Sequence, residues 1–255
     1  MQEDIPPPAQ ALILAAGRGE RMRPLTDTCP KPLLSVRGQA LMQYPLDALA
    51  QAGFTPVMTN TAWLGEQIEA AFGERLIYSH EGRDFGGALE TAGGIARALP
   101  QLDEVFWVVA GDVFAPDFVF ESEALLRFRA SDALAHLWLV PNPAHNPKGD
   151  FGLAADGHAV NGDGPDGTRL TYSTIGLYRR ALFQAPWCDI PPSNPQGVKL
   201  ALAPILRRAM DAGHVTASVY TGTWADVGTP ERLQALNTGL DHLENRKHPF
   251  RFSRS

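Results

Sequence analysis

Short apolar runs alternate with helical patterns through the first half of the chain. Each run of four to six apolar residues is too short for a helix and is typical of a buried strand. The elements predicted in this way are strands at residues 11–16, 54–59, 76–79 and 105–110 and helices at residues 39–52, 64–72 and 91–99. Strand–helix alternation predicts βαβ units in a parallel sheet that has helices on both faces.

The second half is richer in strands joined by glycine-containing loops. Its predicted elements are strands at residues 135–140, 151–155, 169–178 and 215–220 and helices at residues 199–210 and 230–243. We expect these strands to continue the first sheet as a mixed sheet that covers the site. Residues 11–243 then form one α/β domain, and residues 1–10 and 244–255 are predicted to be flexible ends.

A glycine turn follows the first predicted strand. Gly17 and Gly19 lack Cβ, so the backbone there can turn sharply and approach a ligand, and successive N–H groups in such a turn suit phosphate oxygens. Four cations lie within the fourteen residues that begin with Arg18: Arg18, Arg21, Arg23 and Lys31. Lys31 lies between two prolines, which stiffen its backbone. The stretch predicts a cradle for a nucleoside triphosphate; the alternative is an ordinary turn with surface arginines.

Two other glycine loops are excluded. The dinucleotide pattern G-x-G-x-x-G fails because Met22 occupies the third glycine position, and the Walker pattern does not occur in the sequence.

Candidate ligand-binding residues lie at the ends of several predicted strands. Gly17, Asn60, Glu81 and Asp112 all lie there, and ligands of parallel sheets gather at the carboxyl ends of the strands. Asp112 follows a buried strand and a glycine, so its carboxylate suits a hard cation that bridges phosphate oxygens. The alternative for Asp112 is an aspartate that only caps a turn or a helix.

Further candidates come from later loops. Asp226 would complete an Mg²⁺ site with Asp112, unless it lies merely in the turn before a helix capped by Thr229. Thr91 begins a predicted helix whose N–H groups can face nucleotide or sugar oxygens, or it is simply the N-cap. Asp150 lies in a polar loop suited to sugar hydroxyls. Lys199 is a candidate for the phosphate of the sugar, with a solvated lysine as the alternative.

Composition limits the partners. The 255-residue chain has a net charge of −6 and no long run of like charges, which argues against a face that binds nucleic acid. No apolar stretch approaches the roughly 20 residues that span a bilayer, and the polar, proline-rich start does not resemble a signal peptide. Cys29 and Cys188 form neither a metal motif nor a disulfide framework, which favours the reducing cytoplasm.

The run L-A-A-G-x-G-x-R-M-x-P-L-T, followed by P-K-P-L, resembles the signature of sugar-1-phosphate nucleotidylyltransferases. The pattern E-T-x-G-G at residues 90–94, the G-D pair at residues 111–112 and W-x-D-V-G-T at residues 224–229 also match this family. The resemblance covers residues 11–243. It implies a Rossmann-like, glycosyltransferase-A-like α/β fold in a single domain.

The resemblance also implies roles for individual residues. Lys31, Arg21 and Asp112 would be catalytic, and Asp112 and Asp226 would hold Mg²⁺. The implied nucleotide-binding residues are Ala15, Ala16, Gly17, Gly19, Glu20, Arg21, Lys31, Asn60, Gly82 and Thr91. Gly111, Asp150 and Lys199 would bind the sugar, and Asp150 lies where a replacement is expected for the Glu-Lys-Pro sugar motif of longer members, which this chain lacks.

In the reaction of this family, an oxygen of a sugar 1-phosphate attacks the α-phosphorus of a nucleoside triphosphate, and pyrophosphate leaves. The compact length, N-x-A-W-L-G at residues 60–65 and K-G-D-F at residues 148–151 are most similar to members that uridylylate N-acetylmuramate 1-phosphate in peptidoglycan recycling. We therefore expect UTP and that sugar phosphate as substrates of a monomer or small homo-oligomer, with no nucleic-acid or membrane partner. Alternatives are a mannose-1-phosphate guanylyltransferase, a glucose-1-phosphate thymidylyltransferase and, in a different class, a nucleotide-sensing regulatory subunit.

Overall fold

A central sheet of seven strands organises the molecule. The computed structural model describes residues 8–239. Its strands are β1 (Ala9–Leu14), β2 (Ser35–Val36), β3 (Gln39–Ala40), β4 (Val57–Thr61), β5 (Ile77–His80), β6 (Leu102–Ala110), β7 (Val113–Phe114), β8 (Ala135–Val140), β9 (Gly152–Leu153), β10 (Ala159–Val160), β11 (Thr171–Arg179), β12 (Val215–Val219) and β13 (Ala225–Asp226). Its helices are α1 (Gln43–Gln51), α2 (Gly65–Phe72), α3 (Glu81–Phe85), α4 (Glu90–Ala98), α5 (Ser122–Arg129), α6 (Leu202–Asp211) and α7 (Pro230–Thr238).

The strand order in the sheet is β12-β8-β11-β6-β1-β4-β5. The four strands from β6 to β5 are parallel, because each is followed by a helical crossover. β11 runs antiparallel to both β6 and β8, and β12 is parallel to β8. The predicted single-domain α/β fold with a mixed, mainly parallel sheet is confirmed.

Two hydrophobic cores cover the two faces of the sheet. Along β6, Phe106 and Val108 pack on the face covered by α4 and α6, whereas Trp107 and Val109 pack on the face covered by α1, α2 and α5. This alternation is what the two-residue period of a strand requires. Both faces of the strand are therefore buried, as its continuous apolar run predicts.

A third, smaller cluster lies beneath the loops at the carboxyl end of the sheet. Met22 follows the glycine turn, Phe114 belongs to β7, Val227 follows β13, and Leu236 belongs to α7; all four side chains are buried in one cluster. The cluster fixes the glycine turn relative to the chain around β7 and β13. It thereby holds together loops that are far apart in the sequence.

Two predicted helices begin later in the structure, and two further helices were not predicted. The helix predicted at residues 39–52 begins only at Gln43, because Gln39–Ala40 pairs with Ser35–Val36 as a hairpin. The helix predicted from Lys199 begins at Leu202, because the backbone of Leu200 is already bonded to the start of α4. Helices α3 and α5 were not predicted.

The ends of the chain fall mostly outside the described residues. β1 begins at Ala9, so the predicted flexible segment of residues 1–10 is wrong for its last two positions. Residues 1–7 and 244–255, together with the last four residues of the helix predicted at 230–243, lie outside the described part of the chain. Between residues 8 and 239, none of the helices has the length and apolar character needed to cross a membrane.

Candidate active site

Two cavities meet at the carboxyl edge of the parallel strands. The smaller, of about 250 Å³, lies against the glycine turn after β1, and the larger, of about 630 Å³, extends from there toward α4 and α6. Leu14, Gly17 and Asp112 line both of them. The arrangement offers adjoining spaces for two ligands that meet beside Asp112.

Gly19 shapes the smaller cavity. Its backbone is left-handed, with φ at 67°, a conformation that L side chains rarely adopt. A Cβ at Gly19 would also lie 3.0 Å from Cγ2 of Thr26 and 3.3 Å from Cβ of Lys31. The Thr26 hydroxyl donates a hydrogen bond to the Gly19 carbonyl at 2.9 Å. The glycine thus lets the turn close directly over the base of the Lys31 side chain.

The four cations of the turn divide into two groups. Arg18 and Arg23 both pair with Asp27, at 2.8 and 2.9 Å, and the hydrogen bond from Arg18 contributes most to lowering the pKa of that carboxyl. The Arg18 guanidinium also stacks over the ring of Trp63 at 3.8 Å. These two arginines therefore brace the loop. Arg21 is exposed, lines the smaller cavity and has no ion-pair partner within residues 8–239.

Lys31 lines the smaller cavity and contacts Asp112, which lines both cavities. Its Nζ is 2.5 Å from Oδ2 of Asp112, and its side chain is only 10% exposed. Lys31–Leu33 forms a short 3-10 helix flanked by Pro30, so the backbone that carries the ammonium is fixed. The sequence-predicted lysine and aspartate, 81 residues apart, are thus in direct contact.

Backbone pairing brings the chain at Asp226 close to the chain at Asp112. β13 pairs with β7, and the Val227 N–H donates to the Asp112 carbonyl at 3.1 Å. The Asp226 carboxylate itself accepts from Nη1 of Arg232 at 2.5 Å and lies 2.8 Å from Nε2 of His145. Asp226 is not part of the lining of either cavity, although Gly228, two residues later, lines the smaller one.

Each of the two aspartates has one carboxylate oxygen without a hydrogen bond in the described part of the chain. Oδ1 of Asp112 and Oδ2 of Asp226 accept no hydrogen bond from any other residue in the described range. That range contains no group of three or more His, Cys, Asp and Glu side chains arranged to hold a metal ion. A Mg²⁺ ion needs only one or two protein carboxylates when substrate phosphates and water complete its shell. The donor set fits Mg²⁺, and its role stays a prediction.

A buried hydrogen-bond network ties neighbouring strand ends together. Asn60 accepts from the Ala15 N–H at 2.7 Å and donates to Oε1 of Glu81 at 2.7 Å. Glu81, which is fully buried, also accepts from the Leu89 N–H at 2.8 Å. A Cβ at Gly94 would lie 2.5 Å from that same Oε1. The Ala15 N–H and the Asn60 amide, both predicted to bind nucleotide, are therefore engaged within the protein.

Burial gives Glu81 a measurable pH signature. Desolvation raises the pKa of Glu81, although the hydrogen bonds from Leu89 and Asn60 act to lower it. The native state therefore favours the neutral acid more than the unfolded chain does. We expect the free energy of unfolding of the wild type to fall relative to Glu81→Gln as pH rises above about 4.5. The difference should level off once the pH exceeds the raised pKa. Urea unfolding of both proteins between pH 4 and 8 measures it.

Glu104→Gln is the matched control for this comparison, because Glu104 is exposed. Taking differences between variants cancels the other carboxyl groups, several of which have lowered pKa values and the opposite pH slope. A difference between wild type and Glu81→Gln that stays constant over this pH range would contradict the expectation.

Three further predicted residues line the larger cavity. Thr91 and Asp150 line it, together with Ala16. Thr91 is the second residue of α4, whose N-cap is Leu89, so the N-cap alternative is wrong. Two of the N–H groups in the first turn of α4, those of Ala92 and Gly93, donate to the Leu200 carbonyl. Only the first positions of this helix can face a ligand.

Asp150 also anchors its own loop. Its Oδ2 accepts from the Tyr172 N–H at 2.8 Å, which pins the loop before β9 to β11. Gly111 donates to the Leu14 carbonyl at 2.8 Å, and at Gly82 a Cβ would lie 2.6 Å from the Ala62 carbonyl oxygen. Neither glycine lines a cavity, so both have packing reasons in this structure, and their ligand roles stay predictions.

Lys199 lies outside both cavities. It is exposed in an extended segment before α6, not at the start of a helix as predicted. Its predicted contact with the phosphate of the sugar has no support from this placement. In contrast, Arg207 and His145 were not predicted as site residues. Arg207 lines the larger cavity, and His145 contacts Asp226. No local motif marks either residue.

Comparisons with known proteins point to one family. A family model described as nucleotidyl transferase matches residues 10–242. An N-acetylmuramate alpha-1-phosphate uridylyltransferase from Neisseria meningitidis serogroup B is 48% identical over 238 residues, which cover 88% of this chain and 95% of the relative. A protein of the same description from Caulobacter vibrioides is 30% identical, over 91% of this chain and 97% of its own length.

The fold also occurs in solved structures. A crystal structure from Bacillus anthracis, described as a glucose-1-phosphate thymidylyltransferase in complex with sucrose, matches with a TM-score of 0.72 and 19% identity. The match covers 95% of this chain and 97% of that one. At this identity the similarity establishes a common fold.

Proposed function

The chain belongs to the nucleotidyl transferase family, and from that premise we propose that it transfers a uridylyl group from UTP to N-acetylmuramate 1-phosphate. The products are UDP-N-acetylmuramate and pyrophosphate. One observation carries the proposal: the chain is 48% identical to the Neisseria uridylyltransferase over 95% of that protein. Such a product is consistent with the expected place in peptidoglycan recycling.

The two cavities fit the two substrates of this reaction. We place the triphosphate in the smaller cavity, against the glycine turn and Arg21, and the base and sugar in the larger one. A sugar-phosphate oxygen then attacks the α-phosphorus at the junction beside Asp112, while the bond from that phosphorus to the pyrophosphate oxygen breaks. The nucleophile is already an anion near neutral pH, so no general base is needed.

Charge neutralisation is the main task of the protein groups. The Lys31 ammonium is held at the junction by Asp112, so it requires little reorganisation when charge shifts onto phosphate oxygens. Arg21 supplies a second cation at the end where pyrophosphate leaves. Both groups act by position and charge, since phosphoryl transfer needs little covalent help from a protein.

Members of the family generally use a divalent metal ion, and we propose Mg²⁺ for this chain. When bound, such an ion would neutralise negative charge on the phosphate oxygens. The residues that would hold it are Asp112 and Asp226, each of which has one carboxylate oxygen free of hydrogen bonds within residues 8–239.

The alternative functions are less well supported. Guanylyl and thymidylyl transfer are not favoured, because two relatives that are matched over 95% and 97% of their own length act on N-acetylmuramate 1-phosphate by name. A regulatory subunit without turnover would tolerate loss of the charged pair at the junction, whereas Lys31 and Asp112 are in contact here. The two free cysteines fit the proposed cytoplasmic location. A monomer or small homo-oligomer stays our expectation.

A crossed-substrate assay tests the proposal. We expect Mg²⁺-dependent release of pyrophosphate to be fastest with UTP and N-acetylmuramate 1-phosphate when each nucleoside triphosphate is combined with a panel of sugar 1-phosphates. Reactions with excess EDTA and reactions lacking the sugar phosphate are the controls. Equal rates with GTP and mannose 1-phosphate would overturn the substrate assignment and leave the enzyme class intact.

A further inference from the structure

Arg207 occupies an unusual electrostatic position in the larger cavity. The charged side chains that line this cavity are four carboxylates and one guanidinium: Glu81, Glu90, Asp112, Asp150 and Arg207. Arg21 and Lys31, two of the four cations of the glycine turn, line the smaller cavity instead. Arg207 is therefore the single cation, among the residues that the structure describes, at the end of the larger cavity formed by α6.

The guanidinium of Arg207 is held in place by neutral and aromatic groups. Its Nη1 donates to Oδ1 of Asn161 at 2.6 Å, and its Cζ lies 5.2 Å from the centre of the Phe151 ring. Phe151 is almost fully buried and also lines the cavity. This combination of one hydrogen bond and one aromatic face fixes the plane of the guanidinium.

Asn161 forms hydrogen bonds with both Arg207 and the carboxylate of Asp211. Asp211, four residues after Arg207 on α6, is at the spacing of a helical ion pair. Asn161 instead donates its Nδ2 to both carboxylate oxygens of Asp211, each at 3.1 Å, and turns its Oδ1 to Arg207. No carboxylate in residues 8–239 lies within 4.0 Å of the Arg207 nitrogens, in contrast to Arg18, Arg23 and Arg232.

We infer that Arg207 binds a carboxylate carried by the sugar substrate, an inference that rests on the proposed function. N-acetylmuramate differs from N-acetylglucosamine by a lactyl ether on O3, whose carboxylate is the only acidic group on the ring apart from the phosphate. Four N–H groups of the Arg207 guanidinium have no hydrogen-bond partner within residues 8–239, so they can make a bidentate contact with such a carboxylate. Arg207 is then the residue that distinguishes the muramyl from the glucosaminyl substrate.

The test compares two sugar phosphates on two adjacent arginine variants. For Arg207→Gln we expect kcat/KM for N-acetylmuramate 1-phosphate to fall by about 10- to 100-fold, the effect of losing a charge-assisted hydrogen bond. Most of the loss should appear in KM, because the lactyl group is remote from the reacting phosphorus. The value for N-acetylglucosamine 1-phosphate should stay within about threefold of the wild type, since that sugar lacks the group.

Arg208→Gln is the matched control, because Arg208 is the next residue of the same helix and is exposed, outside the cavity lining. It removes the same charge and should leave both substrates unaffected. UTP affinity, measured by calorimetry, verifies that each variant is folded. Arg207→Lys keeps the charge without the fork, so its loss with the muramyl substrate should be intermediate.

The outcomes separate this inference from the proposed function. A wild type that uses both sugar phosphates equally well would overturn the proposed substrate and the inference with it. A wild type that prefers the muramyl substrate, combined with an Arg207→Gln variant that keeps that preference or loses both substrates equally, would overturn the inference alone.

Discussion

Replacing Lys31 by alanine is expected to lower kcat by about 10²–10³-fold, the usual effect of removing one preorganised group that stabilises transition-state charge. The Lys31 side chain is only 10% exposed and its ammonium is held 2.5 Å from the Asp112 carboxylate, so it is already in place before substrates bind. Single-turnover release of pyrophosphate with both substrates saturating measures the loss directly. Lys31→Arg should also be impaired, because a planar fork does not replace a compact point charge at this position.

The control for Lys31→Ala is Arg127→Ala. Arg127 lies on α5 with a side chain that is 66% exposed, so its removal changes the net charge equally without touching the cavities. We expect its turnover to match the wild type. Turnover of Lys31→Ala within about threefold of the wild type would remove Lys31 from the catalytic group, given the effect expected of such groups.

The sequence carried enough information to place the residues at the strand ends. Parallel strands that are joined by helical crossovers all end at the same edge of the sheet. Asn60, Glu81 and Asp112 were assigned to that edge from short apolar runs alone. In the structure Asn60 contacts Glu81, and Asp112 lines the two cavities. The order of strands and helices was sufficient to place these three residues, because each of them lies within two positions of the end of a strand.

Residues that reach the site from elsewhere could not be predicted. Arg207 approaches the larger cavity from the middle of α6, and its partner Asn161 belongs to a loop 46 residues away in the chain. Whether a helical arginine faces solvent or a cavity depends on how the helix packs, which its local sequence does not state. Arg207 and Arg208 are neighbours of identical chemistry, and only the packing of α6 separates their surroundings.

Lys199 is a residue that the sequence predicted in the site and that tertiary contacts place outside it. Its apolar neighbours continue the periodicity of α6, so the sequence predicts a helix that starts there. The Leu200 carbonyl instead accepts from Ala92 and Gly93 at the start of α4, and the Leu200 N–H donates to Leu89. These tertiary hydrogen bonds hold the segment extended and outweigh a local helical preference, which is a weak prior for any single turn.

Asparagine at either predicted metal-binding position is expected to change the Mg²⁺ dependence of the enzyme. For Asp112→Asn we expect kcat to fall by about 10²–10³-fold at saturating Mg²⁺, because the substitution also deprives the Lys31 ammonium of its partner. For Asp226→Asn we expect mainly a rise of at least about tenfold in the Mg²⁺ concentration needed for half-maximal rate. Calorimetric titration of Mg²⁺ into the enzyme with UTP bound measures the second effect independently of turnover.

A double substitution links this site to Lys31. Because Lys31 and Asp112 are in contact and are proposed to act on the same phosphate, Lys31→Ala combined with Asp112→Asn should lose much less activity than the product of the two single losses. Asp132→Asn is the control, since Asp132 is exposed and lies outside both cavities. An unchanged Mg²⁺ requirement in Asp226→Asn would show that Asp112 holds the ion without this second carboxylate. Full additivity in the double variant would show that the ammonium and the carboxylate contribute to the reaction separately.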